Sequence, residues 1–378
     1  MNSFRHIYAI LLLLALVSCG SRQSQKELKD FVEVYTPSYA KGFSILGSPN
    51  AESVILEMRN PWQGARDEVR RVFIRRGNEE APAGFDGTVV DAAIERIVCM
   101  SSSHVAMLRA LDDVEKLVGM SCLDYVSDSI VNSRLDKIVE IGYETNVNYE
   151  NLVAVNPDVV LLYGVECASP METKLKSLGI PYIYIGDYLE DSPLGKAEWI
   201  VAISEIMGKR QQGEQVFAAI PEKYNRLKAL ADSLPERPVV MLNTPYADSW
   251  VMPPVTSYSA RLISDAGGKY VCANLKNDKL LTVGVEEAWQ MAKNADVWLQ
   301  TGAISRLDDL KAACPRFVDT KPILTGNVWN CDLKNNSHGG NDYWESGVIH
   351  PDLILRDLIK IFHPEVLKDE PFVYYRKI

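Results

Sequence analysis

The sequence predicts an α/β protein: two α/β lobes joined by one long helix, preceded by a small N-terminal β-hairpin extension. Three observations lead there. Short apolar runs alternate with amphipathic segments over residues 88–192 and again over 236–378, a rhythm that favours parallel sheets covered by helices. An unbroken helical pattern over residues 193–235 separates the two stretches. One short device (an acid, an amphipathic turn or two, Asn-x-Asp, then an apolar run) occurs once in each stretch, as "NYENLVAVNPDVVLL" and as "GVEEAWQMAKNADVWLQ".

The chain has 378 residues, enough for two domains with a substantial core. Its formal net charge of −10 argues against a nucleic-acid partner. Residues 1–18 read as an export signal: Arg5 and His6 precede the apolar stretch "YAILLLLALV", far shorter than the ~20 residues a membrane-spanning helix needs. The run "LVSC" ending at Cys19 resembles a bacterial lipobox. That resemblance implies cleavage before Cys19, acylation of its thiol and a polar tether over 19–30. An ordinary signal peptide with an incidental cysteine is the alternative. Six further cysteines are even in number but show no C-x-x-C spacing, so disulfides stay open and no cysteine metal site is expected. Cys99, inside "RIVCM", reads as a buried thiol.

Residues 31–87 form the extension. "SVILEM" alternates, "RNPWQG" turns and "VRRVFIRR" returns; Arg66, Arg70, Arg71, Arg75 and Arg76 make this unit basic. In the lobe over 88–192, "RIVCM" is a strand and "SSSHVAMLRAL" a helix opened by capping serines. "KLVGMS" is a second strand, "DVVLLYG" a strand buried on both faces, and "TKLKSLGIPYIYIG" a helix, a glycine stop and a strand. Asp191 or Ser192 caps the long helix, with Pro193 at its first position. Gly208 and Pro221 should bend it, and at 1.5 Å per residue it would reach roughly 60 Å. "RPVVMLN", "ARLISDAGG" and "KPILTG" restart the β/α rhythm in the last lobe. The two copies of the device register through Asn156 and Asn294 and through Asp158 and Asp296, each pair 138 positions apart. The acids do not register: the partner of Glu150 is Glu286 or Glu287.

Ligands of open α/β lobes bind beyond the carboxyl ends of the strands. That rule selects Ser102, Ser103, His104, Tyr125, Asn146 and Tyr163 in the first lobe. In the second it selects Tyr246, Trp250, Tyr258, Trp329, Asn330, Asn341, Tyr343 and Trp344. So aromatic and amide-rich a set suits a large flat ligand, because rings give wide contact at little entropic cost. His104 reads three ways: an axial haem ligand, a hydrogen-bond donor, or a polar residue at a helix start. A Ser/His hydrolase is the rival class, since Ser103 adjoins His104, but no G-x-S-x-G, P-loop or H-E-x-x-H occurs.

The lipobox, "RIVCMSSSHVAMLRAL", "VNYENLVAVNPDVVLL", the long helix and the ending "GVIHPDLILRDLIKIFHPE" resemble the substrate-binding lipoproteins of bacterial ABC importers for ferric siderophores, haem and cobalamin. The likeness runs from Thr88 to Glu365. It implies two Rossmann-like lobes joined by a rigid helix, with the ligand held between them and no chemistry done on it. It also implies a periplasmic, lipid-anchored monomer serving an inner-membrane permease and its ATPase. The bound ligand is then an iron chelate, cobalamin or haem, with no other cofactor. In this family a glutamate on each lobe pairs with permease arginines. Glu150 matches the first and Glu286 is the choice for the second, with Glu287 open. No match to the arginines that siderophore-binding members place in the cleft is found, which leaves the chelate open.

Overall fold

A computed structural model describes residues 27–165, 167–246, 248–275 and 279–378; the export-signal stretch and Cys19 lie outside them. The extension is larger than a hairpin. Strands β1 (Val32–Tyr35), β2 (Phe43–Gly47), β3 (Val54–Arg59), β4 (Val69–Arg75) and β5 (Thr88–Asp91) form one sheet in that order. The expected hairpin is β3–β4; β5 then adds parallel to β4, beyond residue 87. Period-two alternation sorts the side chains. Phe43, Ile45, Leu56, Met58, Val72 and Ile74 face the main core, while Ile55 and Phe73 join Phe31 and Phe85 on the other side.

The first lobe contains β6 (Ile97–Cys99), α1 (Ser102–Ala110), β7 (Leu117–Met120), α2 (Ser129–Asn132) and β8 (Val139–Glu140). A hairpin of β9 (Gly142–Tyr143) and β10 (Asn146–Val147) follows, then α3 (Tyr149–Ala154), β11 (Val159–Leu162), α4 (Glu172–Leu178) and β12 (Tyr182–Tyr184). Its sheet runs β12-β11-β6-β7-β8, all parallel. After α5 (Pro193–Ile206) and α6 (Arg210–Asp232) come β13 (Val239–Leu242), β14 (Ser249–Met252), α7 (Tyr258–Asp265), β15 (Lys269–Tyr270) and β16 (Leu281–Gly284). The chain ends with α8 (Val285–Lys293), β17 (Val297–Leu299), α9 (Leu307–Ala313), α10 (Lys321–Leu324), β18 (Val328–Asn330), α11 (Pro351–Phe362) and β19 (Arg376–Lys377). The second sheet runs β15-β13-β17-β18-β19, parallel except for β19. Both orders are those of doubly wound, Rossmann-like sheets.

The joining helical segment is divided. Gly208, at φ +69°, ends α5, and Lys209 N donates back to Ser204 O at 2.7 Å, a left-handed glycine stop. The chain then folds back so closely that a Cβ on Gly213 would lie 2.0 Å from Ser204 Oγ. The joining helix is therefore α6 alone, about 34 Å long by its rise per residue. It tolerates Pro221 and buries Gly213, Phe217, Ile220 and Tyr224 along one stripe.

The repeated Asn-x-Asp is a strand-pairing device. Asp158 N donates to Arg96 O at 2.8 Å, and its carboxylate accepts from Glu95 N and Arg96 N. Asp296 does the same with Val239, at 2.7 and 2.8 Å. Each aspartate fastens the start of one parallel strand to its neighbour.

Buried carboxylates hold the extension. Glu198, 1% exposed, accepts from Tyr35 Oη and from Ser38 N, Tyr39 N and Ala40 N at 2.7–2.9 Å. Glu190 accepts from Lys41 N, Gly42 N and Trp199 Nε1, and Glu205 pairs with Arg76. Glu198→Ala leaves three backbone donors and a phenol unanswered and should cost about 3 kcal/mol or more. An unchanged urea midpoint would refute this.

The lobes are also strapped along one side. Asn336 Nδ2 donates to Asp124 O and Val126 O. Gly340 sits on Tyr125 O, where a Cβ would be 1.9 Å away. Glu345, 2% exposed, accepts from Ser127 N at 2.8 Å. Burial pushes the Glu345 carboxyl up to about 7 against the pull of the Ser127 N–H, and Asp342 pushes it the same way. An acid with a raised folded-state pKa holds its proton more tightly folded than unfolded. The penalty is thus absent at low pH and complete above about 7. Glu345→Gln does not titrate, so its stability relative to wild type should climb by about 3 kcal/mol between pH 4.5 and 7.5. A difference that stays flat with pH would contradict this.

Candidate ligand cleft

Each sheet has a point where its strand order reverses, β6 beside β11 in the first lobe and β13 beside β17 in the second. Crevices open beyond the carboxyl ends of such strand pairs. In the first lobe Ser101 to His104 follow β6, Tyr163 and Gly164 follow β11, and Asp187 and Tyr188 follow β12. In the second lobe Asn243 and Gln300 leave β13 and β17 at φ 65° and 59°. The loop carrying Tyr343 and Trp344 lies between β18 and α11.

Ser101 caps α1 by accepting from Ser103 N. The cap turns Ser103 Oγ onto Asp187 Oδ1, at 3.3 Å, and onto Ser101 Oγ, at 2.9 Å. Ser103 Oγ is engaged there and makes no hydrogen bond with His104. His104 is fully buried, with its Nε2 3.9 Å from Asp187 Oδ1. Neither ring nitrogen has a hydrogen-bond partner, and burial pushes the imidazole down to about 3, keeping it neutral. Burial raises the Asp187 carboxyl against the opposing pull of Lys196, and lowers the Lys196 ammonium against that of Asp187. Lys196 Nζ lies 3.9 Å from Asp187 Oδ2. From the opposite lobe, the rings of Tyr258 and Trp344 stand 5.4 and 6.0 Å from the same nitrogen.

Aromatic groups extend this centre on both sides. The Tyr163 and Tyr188 rings are 4.6 Å apart. Tyr343, 1% exposed, packs edge-on to Trp344, also at 4.6 Å, and its hydroxyl accepts from Gln300 Nε2. Trp344 itself is 45% exposed. Ser102 is half-buried on the first turn of α1, Tyr125 is exposed beneath Gly339, and Asn341 accepts from Tyr343 N.

Other expected residues stand elsewhere. Trp250 is fully buried between Trp298 and Phe317, its Nε1 bonded to Leu242 O. The β14–β16 ribbon that carries it packs as core. Asn330 is buried and donates to Gly302 O. Trp329 lies on Phe372 and bonds Asn327. Asn146 is exposed on the β9–β10 hairpin. Tyr246 is 86% exposed on the turn before β14. The sequence reading missed Asp187, Tyr188 and Lys196. The strand-end rule applied after "YIYIG" selects the first two; a lone lysine in the apolar helix "PLGKAEWIVAIS" was the signal for the third.

Glu150 and Glu286 sit in the first turns of α3 and α8. Each helix passes through a tight Asn-x-Asp turn into a parallel strand and so runs back along the sheet. Its first turn therefore lies at the carboxyl, crevice-forming end. Glu150 is exposed. Glu286 is exposed but paired with Arg316, whereas Glu287 is exposed and makes no ion pair among the described residues. The six cysteines after Cys19 are free thiols, Cys99 buried among them. No group of three or more His, Cys, Asp or Glu among the described residues is arranged to hold a metal ion. No helix among them is long and apolar enough to cross a membrane.

The chain is similar to known proteins over most of its length. An uncharacterized lipoprotein of Methanocaldococcus jannaschii is 26% identical over 364 residues, spanning 90% of this chain and 84% of that protein. A second uncharacterized lipoprotein of the same organism is 27% identical over 330 residues, 82% of this chain and 81% of its own length. Among solved structures, a periplasmic binding protein from Veillonella parvula aligns over 83% of this chain and 99% of its own, at TM-score 0.60 and 15% identity. The periplasmic heme-binding protein RhuT from Roseiflexus sp. RS-1 aligns over 71% and 98%, at TM-score 0.54 and 21% identity. These likenesses carry the two-lobed α/β fold. A family model described as periplasmic binding protein matches residues 97–329, more than half of the chain. With that match over both lobes and the crevice between them, the chain belongs to the periplasmic binding protein family.

Proposed function

We propose that the protein captures a metal chelate between its lobes and delivers it to an ABC importer permease coupled to its ATPase. An iron complex such as a ferric siderophore is the first choice of ligand, and haem and cobalamin are the others. One observation carries this reading: Asp187 and Lys196 meet the rings of Tyr258 and Trp344 of the second lobe, and Tyr163 and Tyr188 pack together beyond the strand ends of the first. Rings of this kind bind a broad, flat, partly polar surface with few rotors to freeze. The fold relatives include a heme-binding protein and a protein described as part of an Fe3+-hydroxamate transport system, which supports the class and leaves the chelate open. The monomeric state, the lipid anchor at Cys19 and an extracytoplasmic location belong to the same proposal, supported by relatives named lipoproteins.

Docking is assigned to the acids at the rim. Glu150 serves the first lobe, and exposed, unpaired Glu287 is a better second acid than Glu286, whose charge Arg316 already answers. Opposed charges at both lobes orient an encounter and fix its register.

Two measurements test this. Tryptophan quenching with haem, cyanocobalamin and a ferric hydroxamate should saturate for at least one of them. Trp344→Ala should then weaken that binding about tenfold, as loss of an aromatic contact at a binding centre does. Equal binding by the variant would remove Trp344 from the site. Separately, Glu150→Lys should leave ligand affinity unchanged and cut uptake by vesicles carrying the permease about tenfold or more. Undiminished uptake would refute the docking role.

A further inference from the structure

Every residue of α5 except Lys196 is buried. The lysine packs with the rest of the helix, and its side chain stays 12% exposed. Asp187 Oδ2, at 3.9 Å, lies beyond hydrogen-bond reach. On the far side the cation meets only the rings of Tyr258 and Trp344. Asp187 Oδ2 and both nitrogens of His104, just beneath, also lack hydrogen-bond partners. Taking an ammonium this far out of water costs several kcal/mol unless it is paired and hydrogen-bonded. A helix as apolar as α5 would pack as well with methionine or leucine here. The cation is therefore not required by the helix.

We propose that Lys196 is the polar recognition group of the cleft, donating to an acceptor oxygen (carboxylate or amide carbonyl) at the edge of the bound ligand. The proposal rests on the reading of the cleft as a ligand site. Tyr258 and Trp344 give up the cation to that oxygen and keep contact with the ligand's flat face. The ammonium belongs to one lobe and the rings to the other, so an oxygen seated there touches both. Lys196 thereby selects ligands whose rim carries an oxygen acceptor over equally flat ligands that carry none.

The test uses wild type, Lys196→Met, and the double variant Lys196→Met/Asp187→Asn, which removes the carboxylate the single change would strand. Each is titrated by tryptophan quenching with haem, haem dimethyl ester, cyanocobalamin and a ferric hydroxamate. At least one probe that wild type binds should bind both variants about 30-fold more weakly, the loss expected for a hydrogen bond to a charged group. If the oxygen is a carboxylate, haem should lose that factor on esterification in wild type and lose nothing further in the variants. If it is an amide carbonyl, cyanocobalamin should show the loss and haem should not. Equal affinity of wild type and the double variant for every bound probe overturns the role of Lys196 and leaves the cleft reading standing. Failure of wild type to bind haem, cyanocobalamin or a ferric hydroxamate overturns both.

Discussion

Helix α5 is enclosed on all sides, so every ionisable group on it or just before it has to be answered by structure. An ion out of water costs several kcal/mol that only close partners return. Glu198 and Glu205 lie seven residues apart, two turns along one face, and Glu190 precedes them. The extension answers all three with backbone N–H groups, the Trp199 indole held beside it, and Arg76. Lys196 is two residues from Glu198, about 200° around the helix, and so faces the other way. It is met by Asp187 and by the rings of the second lobe. One helix thus ties the added sheet to the molecule on one side and forms the charged floor of the cleft on the other. The extension is part of what holds that floor in place.

How much of this the sequence disclosed depends on how local the cause was. The β/α alternation, the caps at Ser101 and Ser192, and the paired aspartates are local, and each reappears in the structure. Strands β1 and β5 escaped because their apolar residues do not mark a buried face: Val32, Val34 and Val89 stay exposed at the sheet edges. The break at Gly208 was legible as a glycine. Reading it as a stop needed the fold-back that sets Gly213 on Ser204, a contact with no sequence signature. Aromatic identity says nothing of depth. Trp250 and Trp344 looked alike as strand-end rings, yet one is sealed between Trp298 and Phe317 while the other stands nearly half exposed. Lys196 was hidden by the apolar helix around it.

The repeated device separates two tasks. Its aspartate is structural in both copies, because two parallel strands starting side by side leave N–H groups that a carboxylate one turn past a helix reaches well. Its acid is not held alike in the two copies: neither Glu150 nor Glu287 makes an ion pair among the described residues, whereas Glu286 pairs with Arg316. Selection for strand pairing therefore accounts for the exact 138-residue register of the aspartates. It leaves the acids free to slip by a residue or two, as they do.

The same geometry puts the acids and the proposed ligand site on one side of the molecule. A helix that turns tightly into a parallel strand must begin near that strand's carboxyl end, and the crevice opens at the carboxyl ends. Any partner that recognises both acids therefore covers the cleft as well. Along one flank the lobes are already joined by α6 and by the contacts of Asn336, Gly340 and Glu345 with residues 124–127. With that flank fixed, a guest can draw the lobes together only slightly, and little of its binding energy is consumed in rearrangement. On the proposed function, what changes on loading is then local, at Lys196, Tyr258 and Trp344, while the spacing of the rim acids stays nearly constant. A permease gripping those acids would read a rigid gauge and would sense occupancy through the cleft mouth itself.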